Sequence, residues 1–239
     1  MKRIFFLLIG SLSLVSVLAQ KTVINDPDVE VRAVKGFHGI SVSNAIDVYL
    51  SQGDQETVAV SAAEIKWRDR IRTEVVNGIL KIWLDNKGFT WSSGNKKMKA
   101  YISFTTLDKL TASGASDVFV DGVITSNSLD LHLSGASDFK GAIKVSELKL
   151  DQSGASDAHI TGSVEGLVTI ESSGASDVKA YDLVAGSCNA HLSGASDIRI
   201  TVNKELNVHA SGASSLYYKG DAVIKEMHSS GASSVSKKS

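Results

Sequence analysis

Five aspartates recur along the chain at near-constant spacing: Asp117, Asp138, Asp157, Asp177 and Asp197. Each closes the pentapeptide Ser-Gly-Ala-Ser-Asp. Carboxylates repeated in this way are hard oxygen donors, and a column of them could hold calcium between neighbouring units. The alternative chemistry is local: each carboxylate caps backbone N–H groups at a bend. Stacked about 5 Å apart, neighbouring carboxylates repel by roughly 1 kcal/mol in water, so the column must be offset by something. Lys140, His159, Lys179 and Arg199, two residues beyond four of the aspartates, are placed to do that.

A second column lies two residues before each motif and reads Thr111, His132, Asp151, Glu171, His191, His209, His228. Three successive imidazoles, His191, His209 and His228, could share a transition metal or form a pH-sensitive strip. The plainer reading is polar decoration of a solvent face, with His132–Asp151 and Glu171–His191 as weak cross-strand pairs. The three tryptophans, Trp67, Trp83 and Trp91, all precede the repeats. They could form a sugar-binding platform, although Trp83 beside Leu84 reads as core and only Trp91, in a polar loop, reads as exposed. Cys188 is the single cysteine, so no intramolecular disulfide can form, and its place in an apolar column marks it as a small buried hydrophobe.

Nothing here assembles a single catalytic constellation. The motif is not a nucleophile elbow, which needs glycine on both sides of the serine. Metalloprotease, phosphate-loop and dinucleotide motifs are lacking. Seven near-identical units spread their functional groups evenly, whereas catalysis concentrates them.

The elements that must position these columns follow from the repeat itself. The motif starts at Ser113, Ser134, Ser153, Ser173 and Ser193, and returns as Ser-Gly-Ala-Ser-Ser from Ser211 and Ser230, in steps of 21, 19, 20, 20, 18 and 19 residues. A period near 20 indicates stacked turns of a solenoid. Before each motif, residues alternate with apolar ones, as in Leu129, Leu131, Leu133 and Leu206, Val208, Ala210; Val118 and Val120, or Ile198 and Ile200, continue after it. Alternation is the period of a strand. The spacer holds a turn and a shorter apolar pair such as Ile143 and Val145. A strand returning to the same register every 20 residues or so makes a parallel β-helix, whose seven coils at about 4.8 Å would rise roughly 30 Å. Strict alternation sends Gly114 and Ser116 inward and Ser113, Ala115 and Asp117 outward, unless the glycine makes a corner that breaks the parity.

Residues 1–19 read as a secretory signal peptide, with Lys2 and Arg3 before the apolar run Ile4–Val17 and a Val17-Leu18-Ala19 cleavage site ahead of Gln20. No cysteine follows that site, so no lipid anchor is expected there, and no second apolar run is long enough to span a membrane. The mature chain is therefore expected to be exported. Residues 20–110 form a less regular, β-rich N-terminal part, and 111–239 the repeats. Within the first part, Ser43-Asn44-Ala45-Ile46-Asp47-Val48 is a worn copy of the motif. Ala62–Arg70 suggests a helical turn, Thr73–Leu84 around Asn77-Gly78 a hairpin, and Met98, Ala100, Ile102, Phe104 a strand leading into the repeats. Lys237 and Lys238 would blunt the last open edge. The 239 residues are 43% hydrophobic and 6% aromatic with net charge −1, so there is no basic excess to neutralise a nucleic acid.

Three groups of residues resemble a known family. They are Phe37…Ile40-x-Val42 with Ala45-Ile46-Asp47-Val48 and Gln52-Gly53; Glu74-Val75…Asn77-Gly78…Leu80-x-Ile82; and the Ser-Gly-Ala-Ser-Asp coils. Over about residues 35–235 the chain is similar to the putative auto-transporter adhesin, head GIN domain family of secreted or surface proteins. The resemblance implies a right-handed parallel β-helix and an adhesin role. It carries no catalytic residues and hints at self-association into a homo-oligomer. The expectation is a non-enzymatic, secreted or cell-surface module, without a cofactor unless calcium fills the aspartate column. It would bind a cell-surface, matrix or glycan partner. The competing expectation is a polysaccharide lyase or glycosidase on the same fold, which would need clustered Asp, Arg and Lys residues under long loops.

Overall fold

The computed structural model describes residues 26–87 and 96–239. The proposed signal peptide and Trp91 lie outside these residues. In chain order the elements are β1 (Glu30–Arg32), β2 (Gly39–Val42), β3 (Ile46–Gln52), β4 (Thr57–Ser61), the one-turn helix α1 (Ile65–Arg68), β5 (Ile71–Val76), β6 (Ile79–Leu84), β7 (Met98–Phe104) and β8 (Lys109–Ala112). Five long strands follow: β9 (Val118–Leu133), β10 (Phe139–Gln152), β11 (Asp157–Ser172), β12 (Asp177–Leu192) and β13 (Asp197–Ala210). The last are β14 (Ser215–Lys219), β15 (Val223–Ser229) and β16 (Ser234–Lys237).

Each long strand is most of one coil, bent so that its inward side chains change direction while its backbone stays paired. In β11 the buried positions are Ala158 and Ile160, then Val164, then Val168, Ile170 and Ser172. The coils stack in parallel register. Leu131, Leu150, Ile170, Ala190 and Val208 form one buried column. Leu129, Leu148, Val168, Cys188 and Leu206 form another. Cys188 is fully buried, and burial pushes its thiol up to about 12, so it stays protonated and inert. The result is a β-solenoid with coils of about 20 residues.

The corner of each coil is the Ser-Gly-Ala-Ser segment. Its second serine is completely buried in every coil from Ser116 to Ser214. The glycine is exposed and adopts left-handed backbone, with φ of 83° at both Gly154 and Gly174. The strict-alternation expectation is thus half corrected: Ser116 points inward, but Gly114 sits outside on the turn, because a left-handed residue interrupts the two-residue period. Close approach is a second demand on that residue. A Cβ on Gly174 would lie 2.4 Å from the carbonyl oxygen of Gly154 in the coil before. This nearness lets Ala175 N–H donate to Gly154 O at 2.8 Å, and Ala195 N–H to Gly174 O at the same distance.

The N-terminal part belongs to the same solenoid but not in sequence order. β2 lies between β6 and β8, and β3 between β7 and β9, all parallel. The chain therefore lays down residues 39–52 first. It then builds a coil on one side of them from β6 and β7, and returns at Lys109 to continue on the other side. The Met98–Phe104 strand forms, with Met98, Ala100, Ile102 and Phe104 buried. It does not lead directly into the repeats, however. It pairs with the edge of β3 opposite to β9, and its outer edge takes antiparallel β4. β5 covers β6 in the same antiparallel manner, in a hairpin closed by Asn77 (φ 52°) and Gly78 (φ 75°). Antiparallel strands therefore end the parallel stack there. Trp67 on α1 is buried, with Lys96 Nζ 4.8 Å from its ring centroid.

Candidate binding groove

The worn motif occupies the same corner as the others. Ser113 N–H donates to Val42 O, and Ile46 N–H donates to the buried hydroxyl of Ser116. Asn44 (φ 69°) and Ala45 (φ 58°) take the left-handed conformation that glycine takes in the repeats. Asp47 consequently heads the aspartate column, a sixth carboxylate that the worn copy made findable.

The aspartates do come into register, Asp157 opposite Asp177 and Asp177 opposite Asp197. They are held in two ways. In the first coils, carboxylates cap amides of the next coil: Asp138 N–H donates to Asp117 Oδ1 at 3.3 Å, and Asp157 N–H to Asp138 Oδ1 at 3.1 Å. Burial, with the neighbouring Asp117 carboxylate, pushes the Asp47 carboxyl above the usual range; burial does the same for Asp117, with Asp138 adding to it. In the later coils cations intervene. Lys179 Nζ lies 2.8 Å from Asp157 and 4.0 Å from Asp177; Arg199 lies 3.9 Å from Asp177 and 3.3 Å from Asp197. The hydrogen bond to Asp157 pushes the Lys179 ammonium up from its ordinary value.

The second column, with its neighbours, lines an open groove of about 1060 Å³ that crosses the coils. His132, Asp151, Glu171, His191, His209 and His228 lie along it, with the first serine of each motif from Ser134 to Ser230. Some of these serines are turned back to the protein: Ser173 and Ser211 donate their hydroxyls to Gln152 O and Leu192 O. Between the two rows run the buried residues Leu133, Gln152, Ser172, Leu192 and Ala210.

Two groups of three potential metal ligands occur among the described residues, and each shares two members with the groove lining, His132 and Asp151 in one and His209 and His228 in the other. At one end His132 sits between Asp130 and Asp151, at 2.9 Å from each. Lys149 approaches Asp151 at 3.1 Å and Lys109 approaches Asp130 at 3.6 Å, so this end is an ion network. At the other end the imidazoles of His191 and His209 stack at 4.8 Å with planes 6° apart, and His228 continues the stack at 4.8 Å with a 31° tilt. Glu226, one row away from the histidine column, reaches His228 at 2.9 Å and His209 at 3.6 Å. The three histidines are thus brought together, but as a stack with a carboxylate at its end. Glu226 stands two residues before His228, so simple alternation already puts both on one face, one row apart.

Of the tryptophans among the described residues, Trp67 is buried and Trp83 is half-buried in β6. The aromatic ladder lies elsewhere, where Tyr101, Tyr49 and Phe119 stack at 5.2 and 5.3 Å across β7, β3 and β9. Stacked rings spend their faces on one another and offer edges outward, which suits packing better than sugar stacking.

A family model described as putative auto-transporter adhesin, head GIN domain, matches residues 36–222. No curated protein matches the chain. Among solved structures, a putative adhesin from Bacteroides fragilis is similar with a TM-score of 0.78 at 21% identity, over 88% of this chain and 96% of that one. A putative adhesin from Parabacteroides distasonis aligns with a TM-score of 0.68 at 19% identity, over 88% and 96%. A putative lipid binding protein from the same species aligns with a TM-score of 0.62 at 22% identity, over 90% and 98%. At these identities the likeness is one of fold. Among the described residues, no helix is long and apolar enough to cross a membrane, which says nothing of a β-barrel.

Proposed function

We propose, from the premise that this chain belongs to the putative auto-transporter adhesin, head GIN domain family, that it is a non-enzymatic binding module exported to the cell surface. Its partner would be an extended glycan laid across the coils. The observation that carries this reading is the groove. It runs over successive coils and is lined by carboxylates, imidazoles and serine hydroxyls repeated at coil spacing. Such a surface offers many similar hydrogen bonds in a line and no single centre, which suits a polymer whose own groups repeat. A glycosidase or lyase would instead concentrate its acid, base and cation in one place. Here Lys179 and Arg199 neutralise aspartates along a ladder, and Lys149 and Lys109 neutralise Asp151 and Asp130.

The test is binding of the protein to immobilised surface polysaccharides, compared with an Asp151→Ala, Glu171→Ala double variant. Binding that is weakened by the double change, with no shortening of the polymer, is the expected result. Depolymerisation would replace this reading with the enzymatic one. Binding indifferent to the groove variant would move the interface to another face.

A further inference from the structure

The end of the groove that carries the histidine stack has a chemistry distinct from the rest. β13 and β15 pair in parallel, with Leu206 opposite Ile224 but Asn207 opposite Glu226. Lys225 is the extra residue, a bulge. Across it Ile224 faces inward and Glu226 outward, although they are two residues apart. Glu226 and His228 share the outer face with His209, which is directly opposite His228.

We propose that His209 Nε2, Glu226 Oε1 and His228 Nε2 form a site for a borderline divalent transition metal such as zinc, with water completing the coordination. Two imidazoles and one carboxylate are a ligand set suited to such an ion, whereas calcium and magnesium require mainly oxygen. Tetrahedral zinc with ligands near 2.1 Å places its donor atoms about 3.4 Å apart. The observed separations from Glu226, 2.9 Å to His228 and 3.6 Å to His209, bracket that value. All three donor atoms lie within 4.8 Å of one another, so small rotamer changes suffice.

Two comparisons within the molecule favour this group. Imidazole lone pairs lie in the ring plane, so the stacked rings of His191 and His209 hold theirs in separate, nearly parallel planes that do not meet at one ion. The 31° tilt between His209 and His228 is a step toward convergence. Second, the carboxylates beside His132 already face Lys149 and Lys109, while Glu226 faces its two histidines. Because the ligands come from two strands, the metal pins β15 to β13.

The experiment is titration of the protein with Zn²⁺ by calorimetry, and with Co²⁺ as a spectroscopic probe, alongside Glu226→Gln, His228→Ala and His191→Ala variants. Expected are one ion per chain, a tetrahedral Co²⁺ absorption, and slower hydrogen exchange in residues 223–229 when zinc is present. Glu226→Gln and His228→Ala should weaken binding by at least the about 10–100-fold associated with metal-site partners. His191→Ala should leave it within about twofold, and calcium should not compete. All three side chains are solvent-exposed, so the variants are expected to fold, which circular dichroism checks. Equal losses in His191→Ala and Glu226→Gln would overturn the assignment, as would undiminished binding in Glu226→Gln or an unchanged exchange rate in β15.

Discussion

The same corner is built twice in this molecule by different means. In the repeats Gly174 turns the chain with φ 83°, and its backbone lies against that of Gly154. In the N-terminal coil Asn44 and Ala45 turn it with φ 69° and 58°. The difference teaches what the glycine is for. A left-handed turn alone can be made by Asn and Ala at a modest cost. Repeated stacking at both faces of the corner cannot, because every side chain there would strike the coil below. The N-terminal coil meets the repeats once, at Gly114, where a Cβ would be 3.3 Å from Asn44 N instead of 2.4 Å from a carbonyl oxygen.

The largest expected effect separates the covered end from the repeats. Trp67→Ala removes a buried ring from the helix in the N-terminal part, and should cost about 3–5 kcal/mol in denaturant unfolding. A loss under 1 kcal/mol would mean that the N-terminal cover contributes little. Next, Gly174→Ala combines a left-handed penalty of about 1–2 kcal/mol with overpacking of about 1–3 kcal/mol. Gly114→Ala should show only the first of these. Equal destabilisation of the two variants would remove the distinction between turning and stacking.

Smaller in size and opposite in sign is Ala45→Gly, which relieves a left-handed alanine and should stabilise by about 1 kcal/mol. A lower unfolding midpoint in this variant would contradict the account of the worn corner. The smallest effects concern the aspartate column. Asp47 and Asp117 have folded pKa values raised above the unfolded ones. The folded state therefore holds protons more tightly than the unfolded chain. These two groups favour folding as pH falls toward the carboxylate range and oppose it as pH rises through their folded values. Asp26, held down mainly by the Ser61 hydroxyl with help from Tyr101, acts in reverse: its contribution is present above its unfolded pKa and lost in acid. Melting Asp47→Asn and Asp26→Asn from strong acid to neutral pH should change the slope in opposite directions, the Asp26 effect falling below the ordinary carboxyl value of 3.8 and the Asp47 effect above it. Slopes that move together would rule out this assignment. Calcium is expected to leave the melting temperature unchanged, since Lys179 and Arg199 already occupy the later half of the column; a rise abolished by Asp157→Asn with Asp177→Asn would favour the calcium ladder.

The coil period, the inward columns and the worn copy at Ser43–Val48 were legible because a solenoid repeats its local rules, and alternation with a fixed corner is visible in one dimension. The hairpin at Asn77-Gly78 was legible for the same local reason. The placement of β6 and β7 beyond β2 and β3 was not, because Met98–Phe104 carries the same alternation whichever edge of β3 it joins. At the site, the histidine column could be read by counting, but Glu226 could not. It shares the parity of His228 but sits in the neighbouring row, where the other coils carry Asp130, Lys149, Thr169, Asn189 and Asn207, so no repeated residue type marked it, and that its side chain turns toward the imidazoles is a matter of side-chain geometry. Amide capping and cations two residues on were both readable for the aspartates; which coils use which was not, since whether Lys179 faces Asp157 or solvent is a matter of side-chain geometry.

The glycine corner has a bearing on how such a chain can change over generations. Ala175 binds Gly154, Ala195 binds Gly174 and Ala213 binds Gly194 in an unbroken line, while the stretch between corners varies from 18 to 21 residues. The corner acts as a ruler mark and the opposite spacer as slack. Single-residue insertions should accumulate in the spacer and be purged from the corner. Whole coils, duplicated or deleted from one glycine to the next, would leave every remaining joint intact. Length in this lineage should therefore drift in steps of one coil, lengthening or shortening the groove without redesigning it.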